Sequence, residues 1–189
     1  MSTISNMSQV LGIEGKYIYL DSDFLKVLSE DINFAQNIYK ILIKNYLVID
    51  NLIRLEFLRD IFIPEQKADK EKFINSNFFQ QSILHPEVFT KQQENALLLS
   101  KIYKQQIRNT KKNTACHSSP VDLLLAARLM LNYVRELLIT GNKKDFPSCI
   151  FDIIHIFPYE LKQGNIIPFC LIKFNKDKFD KYHKELKEI

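Results

Sequence analysis

Four acidic residues stand at places in this sequence where a carboxylate is awkward for packing and useful for holding a metal ion. They are Asp21, Glu56, Asp122 and Asp145. If their side chains converge, they form a pocket whose negative charge requires a cation at neutral pH. Because oxygen-rich sites of high negative charge suit Mg²⁺ or Mn²⁺, the four acids predict a site for one of these ions.

Each acid also has a purely structural explanation. Asp21 and Asp122 stand where helices begin, and acids there are stabilised by the helix dipole by roughly 0.3–1 kcal/mol. Asp145 follows an apolar run and fits an ordinary turn residue. Glu56 stands among apolar residues, and burying it unpaired would cost several kcal/mol, so it needs a partner. The candidate partners are Arg54, Arg59 and Arg128.

Composition limits the class of protein. The chain has 189 residues, 46% of them hydrophobic, which fits one globular domain with a sizeable core. Its formal net charge of +4 is compatible with nucleic acid without requiring it. Three scattered cysteines favour a reducing compartment over a disulfide framework. Without a secretory signal or an apolar run long enough to span a bilayer, we expect a cytoplasmic protein and no membrane partner.

The pattern of short apolar runs and longer helical segments predicts an α/β fold with a mainly parallel sheet flanked by helices. Predicted strands are Tyr17–Leu20, Tyr46–Ile49, Leu137–Thr140, Phe151–Phe157 and Ile166–Phe174. Predicted helices cover about 21–44 with a break near 29–33, then 51–62, 70–82, 90–108, 121–136 and a last one from 177. In such sheets, ligands bind beyond the carboxyl ends of the strands, which is where Asp21 and Asp145 follow strands.

We expect one domain over residues 1–189. Residues 1–15 form a loose polar lead-in, 65–115 a helical insertion region, and 160–189 a C-terminal extension.

The four acids lie in motifs that resemble those of the PIN-domain nucleases. The first is Leu20-Asp21-Ser22-Asp23-Phe24-Leu25, and the second is Leu52-Ile53-Arg54-Leu55-Glu56-Phe57. The third, Ser119-Pro120-Val121-Asp122-Leu123-Leu124-Leu125-Ala126-Ala127, is the most specific of the set. The fourth is Thr140-Gly141-Asn142-Lys143-Lys144-Asp145-Phe146. The resemblance covers about residues 17–157, and the VapC-like toxin ribonucleases are the nearest subgroup, with a shorter middle region and no C-terminal extension.

The resemblance implies a PIN-like three-layer fold and a divalent-metal-dependent endoribonuclease that hydrolyses RNA phosphodiester bonds, with Mg²⁺ or Mn²⁺ as cofactor. It assigns catalysis and metal binding to Asp21, Glu56, Asp122 and Asp145, supported by Ser22, Asp23 and Asn142. RNA is the implied substrate. The toxin of a toxin–antitoxin pair is one implied role, which leaves open an antitoxin protein and a homodimer as partners.

A basic helix face lies within the predicted insertion region. Its members are Lys101, Lys104, Arg108 and Lys111, at helical spacing. One interpretation is a phosphate-contacting rim beside the metal site. The other is a solvated surface face without a ligand.

Two other functions compete with the nuclease. The first is a non-catalytic PIN-like module that binds a protein or RNA. The second is a phosphatase of the haloacid-dehalogenase type, because Asp21-Ser22-Asp23 after a first strand resembles the start of those enzymes. Their later lysine and paired acidic motif are not evident here, and no Gly-rich phosphate loop is present.

Overall fold

The computed structural model describes the backbone of residues 13–82, 85–110 and 119–187, and the side chains of all of these except 105–110 and 185–187. Most of the predicted lead-in, 1–15, lies outside these ranges.

Six strands form one sheet: β1 (Tyr17–Leu20), β2 (Tyr46–Ile49), β3 (Gln80–Gln81), β4 (Glu136–Thr140), β5 (Phe151–Glu160) and β6 (Ile166–Phe174). Seven α-helices are described with them: α1 (Ser22–Glu30), α2 (Ile32–Leu42), α3 (Asn51–Arg59), α4 (Pro64–Ile74), α5 (Pro86–Thr110), α6 (Pro120–Leu131) and α7 (Lys176–Lys187). A 3₁₀ turn, Lys143–Asp145, follows β4. The fold is therefore α/β, as the sequence predicts.

The strands lie in the order β3-β2-β1-β4-β6-β5. The first four are mutually parallel, whereas β6 runs antiparallel to both β4 and β5. The antiparallel part follows from the connections, because β5 and β6 are joined by a short turn at 161–165, and a parallel crossover requires a dozen residues or more. The predicted C-terminal extension thus completes the sheet as a hairpin.

Helices cover both faces of the sheet. Side chains alternate between faces along a strand, so Tyr19 on β1 and Phe169 on β6 lie on opposite faces. Arg128 of α6 lies over the Tyr19 ring at 5.4 Å, and Phe24 of α1 meets the Phe169 ring at 4.9 Å. The sheet is therefore enclosed between α6 on one side and α1 on the other, and Phe24 and Phe169 are almost completely buried.

Aspartates start the first three helices. The side chains of Asp21, Asp31 and Asp50 accept hydrogen bonds from the backbone N–H groups at the starts of α1, α2 and α3. These bonds satisfy donors that have no partner inside the helix. Asp31 also explains the predicted break near 29–33, because it ends α1 and caps α2 within a single residue.

Two predicted helix boundaries differ from the structure. The helix predicted at 70–82 is instead Pro64–Ile74 followed by β3, because Pro64 fits the first turn of a helix and the turn after Ile74 leads into the sheet. The helix predicted to continue to Glu136 ends at Leu131, and Glu136 begins β4 beside Tyr17. Side-chain periodicity did not reveal either end.

No described helix has the length and apolarity needed to cross a lipid bilayer.

Candidate active site

The candidate site lies where the winding of the sheet reverses. From β1 the chain adds β2 and then β3 on one side, and then continues at β4 on the other side of β1. In open α/β sheets the carboxyl ends of strands at such a reversal border the usual ligand crevice. Here those ends carry Asp21 after β1 and Thr140 at the end of β4.

Asp21 is held firmly at this edge. Its side chain is only 5% exposed, and its backbone N–H donates to the carbonyl of Ile139 at 3.0 Å. Oδ1 accepts from the Ser22 backbone N–H at 2.7 Å, and Oδ2 accepts from the Thr140 hydroxyl at 2.6 Å. Each carboxylate oxygen keeps a lone pair, so Asp21 is oriented without being saturated.

Burial makes Asp21 unusually reluctant to ionise. Removal from water raises its pKa from 3.8 to about 6, and the hydrogen bond from Thr140 opposes this rise. The negative charges of Asp122 and Asp23 raise the pKa further. A raised pKa of one site acid is what the clustering of acids predicts, although burial contributes more to it than charge repulsion does.

Asp122 is oriented by the start of α6. Ser119 caps this helix by accepting from the Asp122 backbone N–H at 3.1 Å, and its hydroxyl donates to Asp122 Oδ2 at 2.7 Å. The Ser119 backbone N–H donates to the same oxygen at 3.1 Å. This capping box shows that Asp122 has the structural role of a helix-start acid, and its effect on Asp21 shows that it also faces the site.

Ser119→Ala is expected to lower the free energy of unfolding by about 1 kcal/mol, because a cap and one orienting bond to Asp122 are lost. Ser119→Thr keeps a hydroxyl at the same place and should cost less than half as much. Urea unfolding of the two variants measures the difference, and equal losses would contradict a capping role for this hydroxyl.

Asp145 is joined to Asp21 through a chain of hydrogen bonds. The Asn142 backbone N–H donates to the Thr140 hydroxyl oxygen at 2.9 Å, and the Asn142 side-chain amide donates to Asp145 Oδ2. The Tyr103 hydroxyl of α5 donates to the backbone carbonyl of Asp145 at 2.9 Å, so α5 holds this turn from outside. Asp145 is buried, and Asn142 contacts its carboxylate as the expected orienting role requires.

Glu56 has a different environment from the one expected. It is half-buried on α3, which buries Ile53 and Phe57 and leaves Leu55 68% exposed. Arg59, one turn further along, pairs with Asp60 at 3.1 Å, and Glu56 adds a smaller attraction to the same guanidinium. Glu56 is only half-buried, so the need for a partner that the sequence implied does not arise, and no ion pair of Glu56 is found among the described residues.

Within the described ranges, no three acidic, histidine or cysteine side chains lie close enough together to hold a metal ion. Among the four predicted metal ligands, Asp122 is the one whose charge raises the pKa of Asp21, and Asp23 adds a smaller effect. The metal roles of Glu56 and Asp145 stay predictions.

The supporting and RNA-binding residues fall into separate places. Ser22 is buried at the start of α1, and Asp23 is exposed and pairs with Lys26 at 3.2 Å. Lys101 and Lys104 are exposed on α5, opposite its buried face. The Arg108 side chain and Lys111 lie outside the described part of the chain.

Sequence reasoning did not identify Thr140. Its hydroxyl is fully buried and joins Asp21 to the Asn142 backbone, so it connects the ends of β1 and β4. A polar residue that ends an otherwise apolar strand was the available signal. The same signal marks Asp50 after β2, where one carboxylate oxygen caps α3 and the other has no hydrogen-bond partner among the described residues.

Comparison of the chain with protein-family models, curated proteins and solved structures finds no match.

Proposed function

We propose that this protein is a divalent-metal-dependent endoribonuclease of the PIN type, with Asp21 and Asp122 as its central carboxylates. The observation that carries the proposal is the position of these two acids. They come from different elements to the edge where the winding of the sheet reverses, and the charge of one raises the pKa of the other. Two like charges kept together at some cost in stability suggest a functional requirement.

The carboxylate oxygens of Asp21 and Asp122 are suitable ligands for Mg²⁺ or Mn²⁺. Both ions prefer oxygen ligands, and Mg²⁺ is commonly held by one or two carboxylates with water and substrate phosphate completing its shell. Asp21 and Asp122 supply two carboxylates, and each is already turned by fixed hydrogen-bond donors. A site of three or four protein carboxylates is therefore not needed for this chemistry.

When bound, such an ion supplies an activated water and neutralises charge on the phosphate during hydrolysis. The chain contributes orientation. Thr140 and the Ser22 backbone hold Asp21, and Ser119 holds Asp122, so neither carboxylate has to be reordered when substrate arrives. Asn142 keeps the Asp145 turn against the same edge.

The first test is binding of the ion itself. Millimolar Mn²⁺ should raise the melting temperature of the wild-type protein, since an ion that binds only the folded state stabilises it. Asp122→Asn should lose most of this shift. Asp69→Asn, which removes an equal charge from the exposed surface of α4, should retain it. An unchanged wild-type melting curve would count against a metal site.

The second test is cleavage of a panel of cellular RNAs with Mg²⁺, Mn²⁺ or a chelator. Cleavage should require the ion and should fall at least a hundredfold in Asp122→Asn, while Asp69→Asn stays active. Residual cleavage at the wild-type level in Asp122→Asn would indicate a contaminating nuclease.

A non-catalytic RNA- or protein-binding module is the alternative. It predicts RNA binding without cleavage under every ionic condition, and no change of melting temperature with Mn²⁺. A toxin role adds an antitoxin protein, whose binding would be expected to suppress cleavage.

A further inference from the structure

We propose that a groove lined by Asp23 and Asn142, next to the Asp21 edge of the sheet, binds the phosphates of single-stranded RNA through Lys26, Lys143 and Lys144. The inference rests on the proposed function, because it names how that substrate reaches the site. The groove has a volume of about 510 Å³ and lies between α1, the turn after β4 and the start of β6. It differs from the α5 face that the sequence offered as one possible phosphate-contacting rim, since it is bordered by Asp23 and Asn142 of the candidate site.

The balance of charge in the groove is positive. Three lysines line it and one acid, Asp23, is present with them. Asp23 pairs with Lys26 at 3.2 Å, but both side chains are largely exposed, at 63% and 45%, so this pair is weak and easily exchanged for a phosphate. Lys143 and Lys144 are also exposed, which suits contact with a nucleic-acid backbone.

The groove is connected to Asp21 through hydrogen bonds. Asn142 lines it, and its backbone N–H donates to the buried Thr140 hydroxyl, which in turn donates to Asp21. From the other side, Asp23 is two residues beyond Asp21 in the first turn of α1. A strand whose phosphates contact the lysines would therefore pass the Asp21 edge.

The wall formed by β6 is apolar. Pro168 is exposed there and Ile167 is half-buried, so a base can pack against them while the backbone faces the lysines. A positive track beside an apolar surface is typical of proteins that bind single strands. A duplex turns its bases inward and offers nothing to this wall, so the single strand is the favoured form.

The turn that carries two of the lysines is fixed in place. A Cβ added at Gly141 would lie 3.1 Å from Cε1 of Phe169, so the absence of a side chain allows the turn to rest directly on β6. Tyr103 holds the same turn through the Asp145 carbonyl. The lysines thus project from a supported backbone and not from a free loop.

The test is binding of a short fluorescent single-stranded RNA, followed by anisotropy in chelator, where no cleavage occurs. The variant Lys143→Glu/Lys144→Glu should bind at least tenfold more weakly than wild type, and the slope of log affinity against log salt should become shallower by about 1.4. Lys67→Glu/Lys72→Glu changes the charge equally on α4 and should lose less than threefold. Lys143→Glu alone, checked by urea unfolding, guards against a folding defect of the double variant.

Other nucleic acids complete the design. DNA of the same sequence shares the phosphates and should also lose affinity in the groove variant, whereas only RNA should be cleaved by the wild type. Duplex RNA should bind at least tenfold more weakly than the single strand. Equal losses of RNA affinity in the groove variant and the α4 variant would contradict RNA binding in the groove. Tighter binding of the duplex than of the single strand would contradict it as well.

These experiments distinguish a wrong RNA-binding groove from a wrong nuclease assignment. RNA that is cleaved with metal but bound equally by the groove variant would reject the groove alone. RNA that is bound through the lysines but never cleaved would support the groove and reject the nuclease.

Discussion

Asp21→Asn is expected to stabilise the metal-free protein by up to about 3 kcal/mol near neutral pH. Folding takes this carboxyl out of water and raises its pKa from 3.8 to about 6, and each pH unit of such a change corresponds to about 1.4 kcal/mol. Asparagine keeps the size of the side chain and removes its charge. It is also as good a helix cap as aspartate, so the bond from the Ser22 N–H should survive.

The raised pKa of Asp21 also determines how this gain in stability changes with pH. The folded protein holds the Asp21 proton more tightly than the unfolded chain, so between about pH 4 and pH 6 the wild type loses stability as pH rises. Above about pH 6 the buried charge of Asp21 lowers the free energy of unfolding by its full amount. Near pH 4 most of this effect has disappeared. The gain from Asp21→Asn should therefore be largest near pH 7.5 and below about 1 kcal/mol near pH 4.

Urea unfolding at both pH values in chelator measures the gain. Asp69→Asn on α4 serves as the surface control and should change the free energy of unfolding by less than about 0.5 kcal/mol. An equal gain at the two pH values would exclude the buried charge as the cause. Saturating Mn²⁺ should reverse the order of stabilities, because the variant lacks one of the two proposed ligands.

Arg128→Met is expected to destabilise the protein by about 3–5 kcal/mol, the largest loss that we predict. Arg128 donates to Glu136 Oε1 at 3.0 Å, and the two side chains are only 15% and 6% exposed. Burial raises the pKa of Glu136 and Arg128 opposes that rise, so removing the arginine leaves a buried acid without its cation. The contact of the guanidinium with the Tyr19 ring is lost as well.

The double variant Arg128→Met/Glu136→Leu should recover most of the stability, because it removes both charges together. Arg59→Met is the matched control. Its arginine pairs with Asp60 with both side chains more than 60% exposed, so solvent screens the pair and the loss should be much smaller than in Arg128→Met. Urea unfolding of the wild type, Arg128→Met, Glu136→Leu and their double variant gives the coupling energy. A loss in Arg128→Met no larger than in the control would show that the buried pair contributes little.

Arg128 and Glu136 also illustrate where sequence reasoning ended. The sequence offered Arg128 as one candidate partner for Glu56, because only residue types were available. In the folded protein α6 crosses the sheet over β1 and the start of β4, so Arg128 meets Glu136 and Tyr19 instead. Contacts between elements depend on which face each helix covers, and local pattern does not encode that.

The sequence by itself determined the short buried strands Tyr17–Leu20 and Tyr46–Ile49, the strand Ile166–Phe174 and the helix start at Asp21. Apolar runs form strands, and side-chain oxygens cap helices, through interactions between residues that are close in the chain. Such features can therefore be recognised from the sequence alone. Local pattern also placed Asp21 at the end of a strand and Asp122 at the start of a helix, which is where both are found.

Only the tertiary structure decided which of these groups meet. Strand order set β1 beside β4, and this brought Thr140 to Asp21 and Asp122 within range of its charge, across about a hundred residues of chain. The same order placed Lys143 and Lys144 in the wall of a groove. The physical reason is that burial and charge act through space. The pKa of Asp21 depends on the groups that pack around it. Those groups are known only once the helices have been placed on both faces of the sheet.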